Sequence, residues 1–276
     1  MVMPARNAEA TVKRSVISTL RALGPADELI VGLHNSEDST DHVLSTISDP
    51  RLKVRILTKM SFSEALNSLA QQSGGDYLAR MDADDICLPW RFRVQAKQLD
   101  GRDGVFLFSS VIVIGATRPR WLPIPQHPLW LNDRVSRKLL EQINPLNHPT
   151  LFTRRSTFEA LGGYRNLAGE DLDLWLRAAL DGVRLIRADL PTVVYRVSQT
   201  QLSKEPWYEE GWRTGEEIQT LRTALVKQNS ESKVVLTFPE RLTVSAIRVG
   251  FPTPRNLRAR SQIRKASGRG GSFDEE

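Results

Sequence analysis

The chain has 276 residues, 40% of them hydrophobic and 25% charged, with a formal net charge of +6. That is the make-up of an ordinary soluble globular protein, long enough for one large α/β domain or one domain plus a tail. A single cysteine, Cys87, excludes an internal disulfide framework and any multi-cysteine metal site, which fits a reducing, cytoplasmic compartment. The N-terminus shows no signal-peptide pattern, and the longest apolar run, Gly104 to Ala116, is broken by Ser109-Ser110 and too short to span a bilayer.

Val2-Met3-Pro4 reads as the end of a first strand, followed by a helix from about Glu9 to Leu23. Leu29-Ile30-Val31 is a second strand, Asp38 to Asp41 can start the next helix, and Leu52 to Leu57 is a third strand. Ser61-Phe62-Ser63-Glu64 has a capping-box pattern, opening a helix whose Ala65, Leu66, Leu69 and Ala70 recur at helical spacing. Tyr77 to Met81 is a short buried strand ending in Asp82, Asp84 and Asp85, and Pro89 fits the first turn of the helix that follows. In an extended segment, Asp82 and Asp84 project to one side and Ala83 to the other. Two hard oxygen ligands so placed can hold a divalent cation that keeps positions open for phosphates. The same cluster also fits a solvated turn in which Asp85 caps the next helix.

The second half is less regular. Gly104 to Ala116 reads as a buried strand or two, and residues 148–165 give a short strand, a helix and a Gly162-Gly163 turn. Glu170 and Asp171 begin a helix with Leu172, Trp175, Leu176 and Ala179 on its apolar face and Gly182 as its stop. Carboxylates in a first turn are favoured by the helix dipole; alternatively one of them is a general base in the cleft. Two apolar runs, 183–186 and 193–195, read as further strands. Strands alternating with amphipathic helices predict a mainly parallel, doubly wound sheet that binds its ligand beyond the carboxyl ends of the strands, where the acidic cluster lies.

Five segments in order carry a family resemblance: MPARNAEATVKRSVIST, SFSEALNSLAQQSGGDYLARMDADDICLPWRFRVQ, HPTLFTRRSTFEALGGYR, GEDLDLWLRAALDG and LPTVVYRVSQTQLS. Together they resemble the family 2 glycosyltransferases over roughly residues 2–203. The resemblance implies an α/β fold of GT-A type, a doubly wound, mainly parallel sheet flanked by helices. Residues 1–203 would form the domain, with a nucleotide-sugar half to about residue 100 and an acceptor half from 101. It also implies inverting transfer of a sugar from a nucleotide-diphosphate donor to an acceptor hydroxyl, on a glycan, a lipid-linked carrier or another molecule. Asp84 would be the principal ligand of Mn²⁺ or Mg²⁺ with Asp82 beside it, facing the ribose or sugar. Asp171 would be the general base, with Glu170 the less favoured of the pair. Pro4, Arg6, Asn7, Glu37, Asp38, Asp41, Arg80 and Arg196 would complete the donor site, a surface ion pair being an equal reading of Arg196. His148 reads as a structural histidine first and an acceptor contact second.

One departure stands out. The family usually carries Asp-Asp-Gly-Ser-x-Asp after the second strand, where this chain has GLHNSEDSTD, residues 32–41. Either Glu37 or Asp38 supplies the nucleobase contact after a small insertion, or the base is read differently, so the nucleotide stays open. Residues 204–252 read as a helical extension in which Trp207, Tyr208 and Trp212 pack on the domain or cover the acceptor. Residues 253–276 form a basic tail, with Arg255, Arg258, Arg260, Arg264, Lys265 and Arg269 before any acid. Such a tail suits an anionic membrane surface as a peripheral contact. A catalytically silent nucleotide-sugar-binding protein is the alternative function. A nucleic-acid-binding protein ranks last, since no nucleic-acid module is recognisable.

Overall fold

A computed structural model describes residues 1–115, 124–125, 130–198 and 205–249. Its first part alternates β1 (Val2–Ala5), α1 (Val12–Ala22), β2 (Leu29–His34), α2 (Thr40–Ser45), β3 (Leu52–Leu57) and α3 (Phe62–Gln71). β1 and β3 flank β2 in a parallel three-stranded sheet. Leu29, Ile30 and Val31 of the central strand are wholly buried, as expected of a parallel strand covered on both faces. The capping box forms: the Ser61 hydroxyl accepts from the Glu64 N–H, and the Glu64 carboxylate accepts from the Ser61 N–H.

The chain continues through β4 (Tyr77–Ala79), β5 (Ile86–Cys87), α4 (Arg91–Leu99), β6 (Val105–Gly115), β7 (Ile124–Pro125) and α5 (Asp133–Leu140). A 3-10 turn (His148–Thr150) precedes β8 (Phe152–Arg154), α6 (Arg155–Ala160), α7 (Glu170–Leu180) and β9 (Arg184–Val197). These strands form a second sheet in the order β4-β8-β6-β9-β5, with β7 on β6. The sheet is mixed: β6 and β9 pair in parallel along their length, whereas β4–β8, β6–β8 and β5–β9 are antiparallel. A parallel bridge from Val2 to Arg80 ties it to the first sheet.

Several boundaries differ from the sequence expectation, each for a local reason. α1 begins at Val12 because residues 7–9 are engaged with the loop after β2. Pro89 lies outside α4, which starts at Arg91 after Trp90. The run from Val105 to Gly115 is one strand, and 183–186 with 193–195 belong to one strand, β9, rather than two. Pro191, which has no N–H to give the ladder, stands opposite Ser110 where the β6–β9 register shifts, so the proline makes a bulge and not a break.

The core centres on Trp175 of α7, fully buried and edge-on to both Phe106 and Phe108 of β6. Burying a ring system of that size contributes about 5 kcal/mol. The C-terminal extension is helical, as the sequence predicted, and consists of α8 (Pro206–Thr214), α9 (Glu216–Glu231) and α10 (Phe238–Val249). Ile218 and Leu225 of α9 join the Trp175 cluster, while Val244 and Ile247 of α10 pack on Val135 and Leu139 of α5. No helix among the described residues is long and apolar enough to cross a membrane. The basic tail, residues 253–276, lies outside the described residues.

Candidate active site: an acidic turn and an acidic helix start

After β4 the backbone does not stay extended. The Met81 N–H bonds to the Val2 carbonyl, Ala83 and Asp84 form a turn, and the Asp85 N–H points back at the Asp82 carbonyl, 3.4 Å away. Asp82 and Asp84 do not alternate along a strand as expected: a turn, not a pleat, brings the carboxylates together. It brings in a third as well. One oxygen each of Asp82, Asp84 and Asp85 lie within 4.8 Å of one another. Ser15 of α1 anchors the turn by donating to the Asp82 carbonyl at 2.9 Å.

Asp85 does not cap α4. Its Oδ1 accepts the Arg196 N–H at 2.8 Å, while Arg196 Nε donates to the Asp84 carbonyl at 3.0 Å. Arg196 lies within β9 and fastens the acidic turn to the second sheet. Arg80, almost wholly buried, donates to Asp82 Oδ2 at 2.9 Å and pairs with Oδ1. Burial first, and then the charge of Asp82, push the Asp84 carboxyl up to about 6. Asp85 is raised well above the usual range by burial and by its two acidic neighbours, and its Oδ2 is buried with no hydrogen-bond partner. Crowded carboxylates with an unsatisfied oxygen are a donor set for a hard divalent cation, and the residues present fit one.

This crowding has a consequence for stability. Between about pH 4 and 6 the folded chain keeps a proton on Asp84 that the unfolded chain has released, so the ion-free protein loses stability as pH rises through that window. The loss is of order 1–3 kcal/mol. Asp84→Asn should therefore gain melting temperature relative to the unmodified chain from pH 4 to 7, and saturating Mn²⁺ should reverse the order. Parallel melting curves for the two proteins would contradict this account.

The second acidic element starts α7. Gly169, with φ of +82°, turns the chain so that Glu170 and Asp171 occupy the first helical turn, both buried. Asp171 accepts from Asn144 Nδ2 at 2.9 Å and, through Oδ1, from the Leu172 N–H at 2.7 Å. Glu170 Oε2 accepts from the Tyr208 hydroxyl at 2.6 Å, and its Oε1 lies 3.8 Å from His148 Nδ1. His148 Nε2 is 2.8 Å from the Tyr164 hydroxyl. Burial, then the charge of Asp171, raises the Glu170 carboxyl to about 7. The Arg80 guanidinium pairs with Asp82, and its charge acts also on Tyr164, Glu170 and Asp85.

The loops after β1 and β2 are laced together. The Asn7 N–H donates to Ser36 Oγ, the Glu37 N–H to Asn7 Oδ1 and the Ala8 N–H to Thr40 Oγ1. Asp38 accepts from the N–H groups of Glu9 and Thr40, so its carboxylate braces the loop. Asn35, at φ +51°, joins the loop after β3 by donating to the Met60 carbonyl and accepting the Lys59 N–H. Arg6 is exposed and Pro4 is buried in β1 opposite Gly32. Glu37 is exposed, and Asp41 is exposed in the first turn of α2. His34 is buried near Phe62, and burial followed by the Arg6 charge lowers its pKa. Cys87 is buried and its thiol is raised by burial, which makes it packing and not a nucleophile. Asn144, Tyr164 and Tyr208 were not singled out from sequence as partners of the acidic pair.

Residues 1–162 match the family model "Glycosyl transferase family 2". EpsE of Bacillus subtilis (strain 168), named as a glycosyltransferase, is 28% identical over 214 residues, covering 72% of each chain. The amylovoran biosynthesis glycosyltransferase AmsE of Erwinia amylovora is 29% identical over 54% of each chain. The O-antigen biosynthesis glycosyltransferase WbnJ of Escherichia coli is 30% identical over 47% of this chain and 50% of its own. The chain thus spans about half the length of AmsE and WbnJ. Among solved structures, S. aureus TarS 1-349 in complex with UDP-GlcNAc superposes with a TM-score of 0.59 at 16% identity, over 75% of this chain and 60% of that one. That likeness gives the GT-A fold, and with the family match over more than half its length, the chain belongs to glycosyl transferase family 2.

Proposed function

We propose that the chain moves a sugar from a nucleotide-diphosphate donor to an acceptor hydroxyl with inversion, using a divalent cation held by Asp84 and Asp82. The observation that carries this reading is the set of three carboxylate oxygens within 4.8 Å of one another, one carboxylate keeping an unsatisfied buried oxygen. When bound, Mn²⁺ or Mg²⁺ supplies Lewis-acid neutralisation of the charge that builds on a leaving diphosphate. Arg196 holds the turn that presents the carboxylates, and Arg80 fixes Asp82 beside the sugar. Asp171, oriented by Asn144, takes the acceptor's proton. A carboxyl raised to about 7 favours a second reading in which Glu170 is the base.

The donor's nucleoside lies along the laced loops, with Pro4, Arg6, Asn7, Glu37 and Asp41 around it and Asp38 bracing the loop. The UDP and UDP-GlcNAc complexes of TarS support uridine as the first base to test. A lipid-linked acceptor is supported by the relative named UDP-Glc:alpha-D-GlcNAc-diphosphoundecaprenol beta-1,3-glucosyltransferase WfgD of Escherichia coli, 27% identical over 117 residues. The composition of residues 253–276 agrees with peripheral contact at an anionic membrane on the cytoplasmic side.

A thermal-shift screen of UDP, GDP and dTDP and their sugars, with and without Mn²⁺ or Mg²⁺, tests the reading. One nucleotide should raise the melting temperature by about 5 °C or more at saturating concentration, and only with the cation present. Equal shifts without cation, or none with any nucleotide, would count against it.

A further inference from the structure

α8 lies beyond the residues matched by the family model, yet it reaches the acidic pair. Tyr208 is buried, and its hydroxyl donates to Glu170 Oε2 at 2.6 Å. A separate feature shows how closely α8 is seated there. A Cβ on Gly169 would stand 2.5 Å from Trp212 Cβ, and one on Gly211 would collide with Ala168 Cβ. Glycines on both sides let the backbone of α8 and that of residues 168–169 come into contact immediately before Glu170.

We infer that Tyr208 is a positioning residue of the transfer site, fixing the Glu170 carboxylate beside Asp171, so that the C-terminal extension completes the site. The inference rests on the reading of Glu170-Asp171 as the pair that handles the acceptor's proton. Among the described residues, the groups facing Glu170 include Asp171 on its own helix, His148 from the 3-10 turn, Tyr164 after α6, Arg80 after β4 and Tyr208 from α8. Burial and the Asp171 charge oppose ionisation of Glu170, whereas the Tyr208 hydrogen bond and the Arg80 charge favour it. A phenol donating to a buried carboxylate is a strong, charge-assisted bond, and removing it leaves a desolvated acceptor unpaired.

Tyr208→Phe removes one oxygen and keeps the ring. It should lower kcat by up to about tenfold, no more than Glu170→Gln does, with the donor KM unchanged within about twofold. The acid limb of its pH–kcat profile should move to higher pH, because Glu170 loses a bond to its charged form. The double variant Tyr208→Phe/Glu170→Gln should be no slower than Glu170→Gln alone, since Tyr208 acts through Glu170. A Tyr208→Phe enzyme with unaltered kcat and acid limb overturns the assignment, as do losses that multiply in the double variant. Cation-dependent turnover by the unmodified chain, lost in Asp84→Ala, keeps the two questions apart. If that turnover is present while Tyr208→Phe changes nothing, the Tyr208 role alone fails. If the unmodified chain turns over no nucleotide sugar, the underlying reading falls and the inference with it.

Discussion

Asp84→Ala should leave a folded chain whose cation-dependent transfer falls by about 10³-fold or more. The size follows from the site's construction. The acidic turn crowds the half-buried Asp84 carboxylate together with those of Asp82 and Asp85. Without it the set loses one of its three carboxylates, leaving Asp82 paired with Arg80 and Asp85 bonded through Oδ1 to the Arg196 N–H. Stability should move the other way: deleting a carboxylate that ionises against its surroundings leaves the ion-free variant at least as stable as the unmodified chain at pH 7. Transfer assays across a Mn²⁺ titration, paired with melting curves, check both halves. Activity retained at every cation concentration would place the metal site elsewhere.

Asp171→Asn should lower kcat by about 10²- to 10⁴-fold with donor binding intact, the range expected for loss of a general base. The substitution keeps shape, and an amide oxygen can still accept from Asn144. Glu170→Gln should cost less, about tenfold, since that carboxyl is held between Tyr208 and His148. Single-turnover rates for the two variants with one donor and acceptor separate the assignments. The reverse order of losses would make Glu170 the base.

Much of the fold was legible because its signals are local. Periodicity and the capping box located α3, and apolar runs located β2, β3 and β6. The acidic pair was readable as a helix start from Glu170 to the Gly182 stop. What escaped depends on residues far apart in the chain. Nothing near Asp85 announces that Arg196 will supply its hydrogen bond, and nothing near Glu170 announces Tyr208. The bulge at Pro191 imitated a gap between strands, because a proline normally ends a run and here only displaces the register. A mixed second sheet was equally hidden, since short antiparallel partners such as β8 carry too few residues to show their direction.

The bond between Asp85 and the Arg196 N–H spans 111 positions of sequence. During synthesis the acidic turn therefore leaves the ribosome long before the strand that fastens it. The three-stranded sheet can close early from neighbouring segments, but the aspartates must wait, mutually repelling, until β9 arrives beside β6. Assembly of the acidic turn is thereby a late event in the birth of the molecule. A chain stalled before residue 196 can carry every aspartate of the motif and still lack the strand that holds them in place.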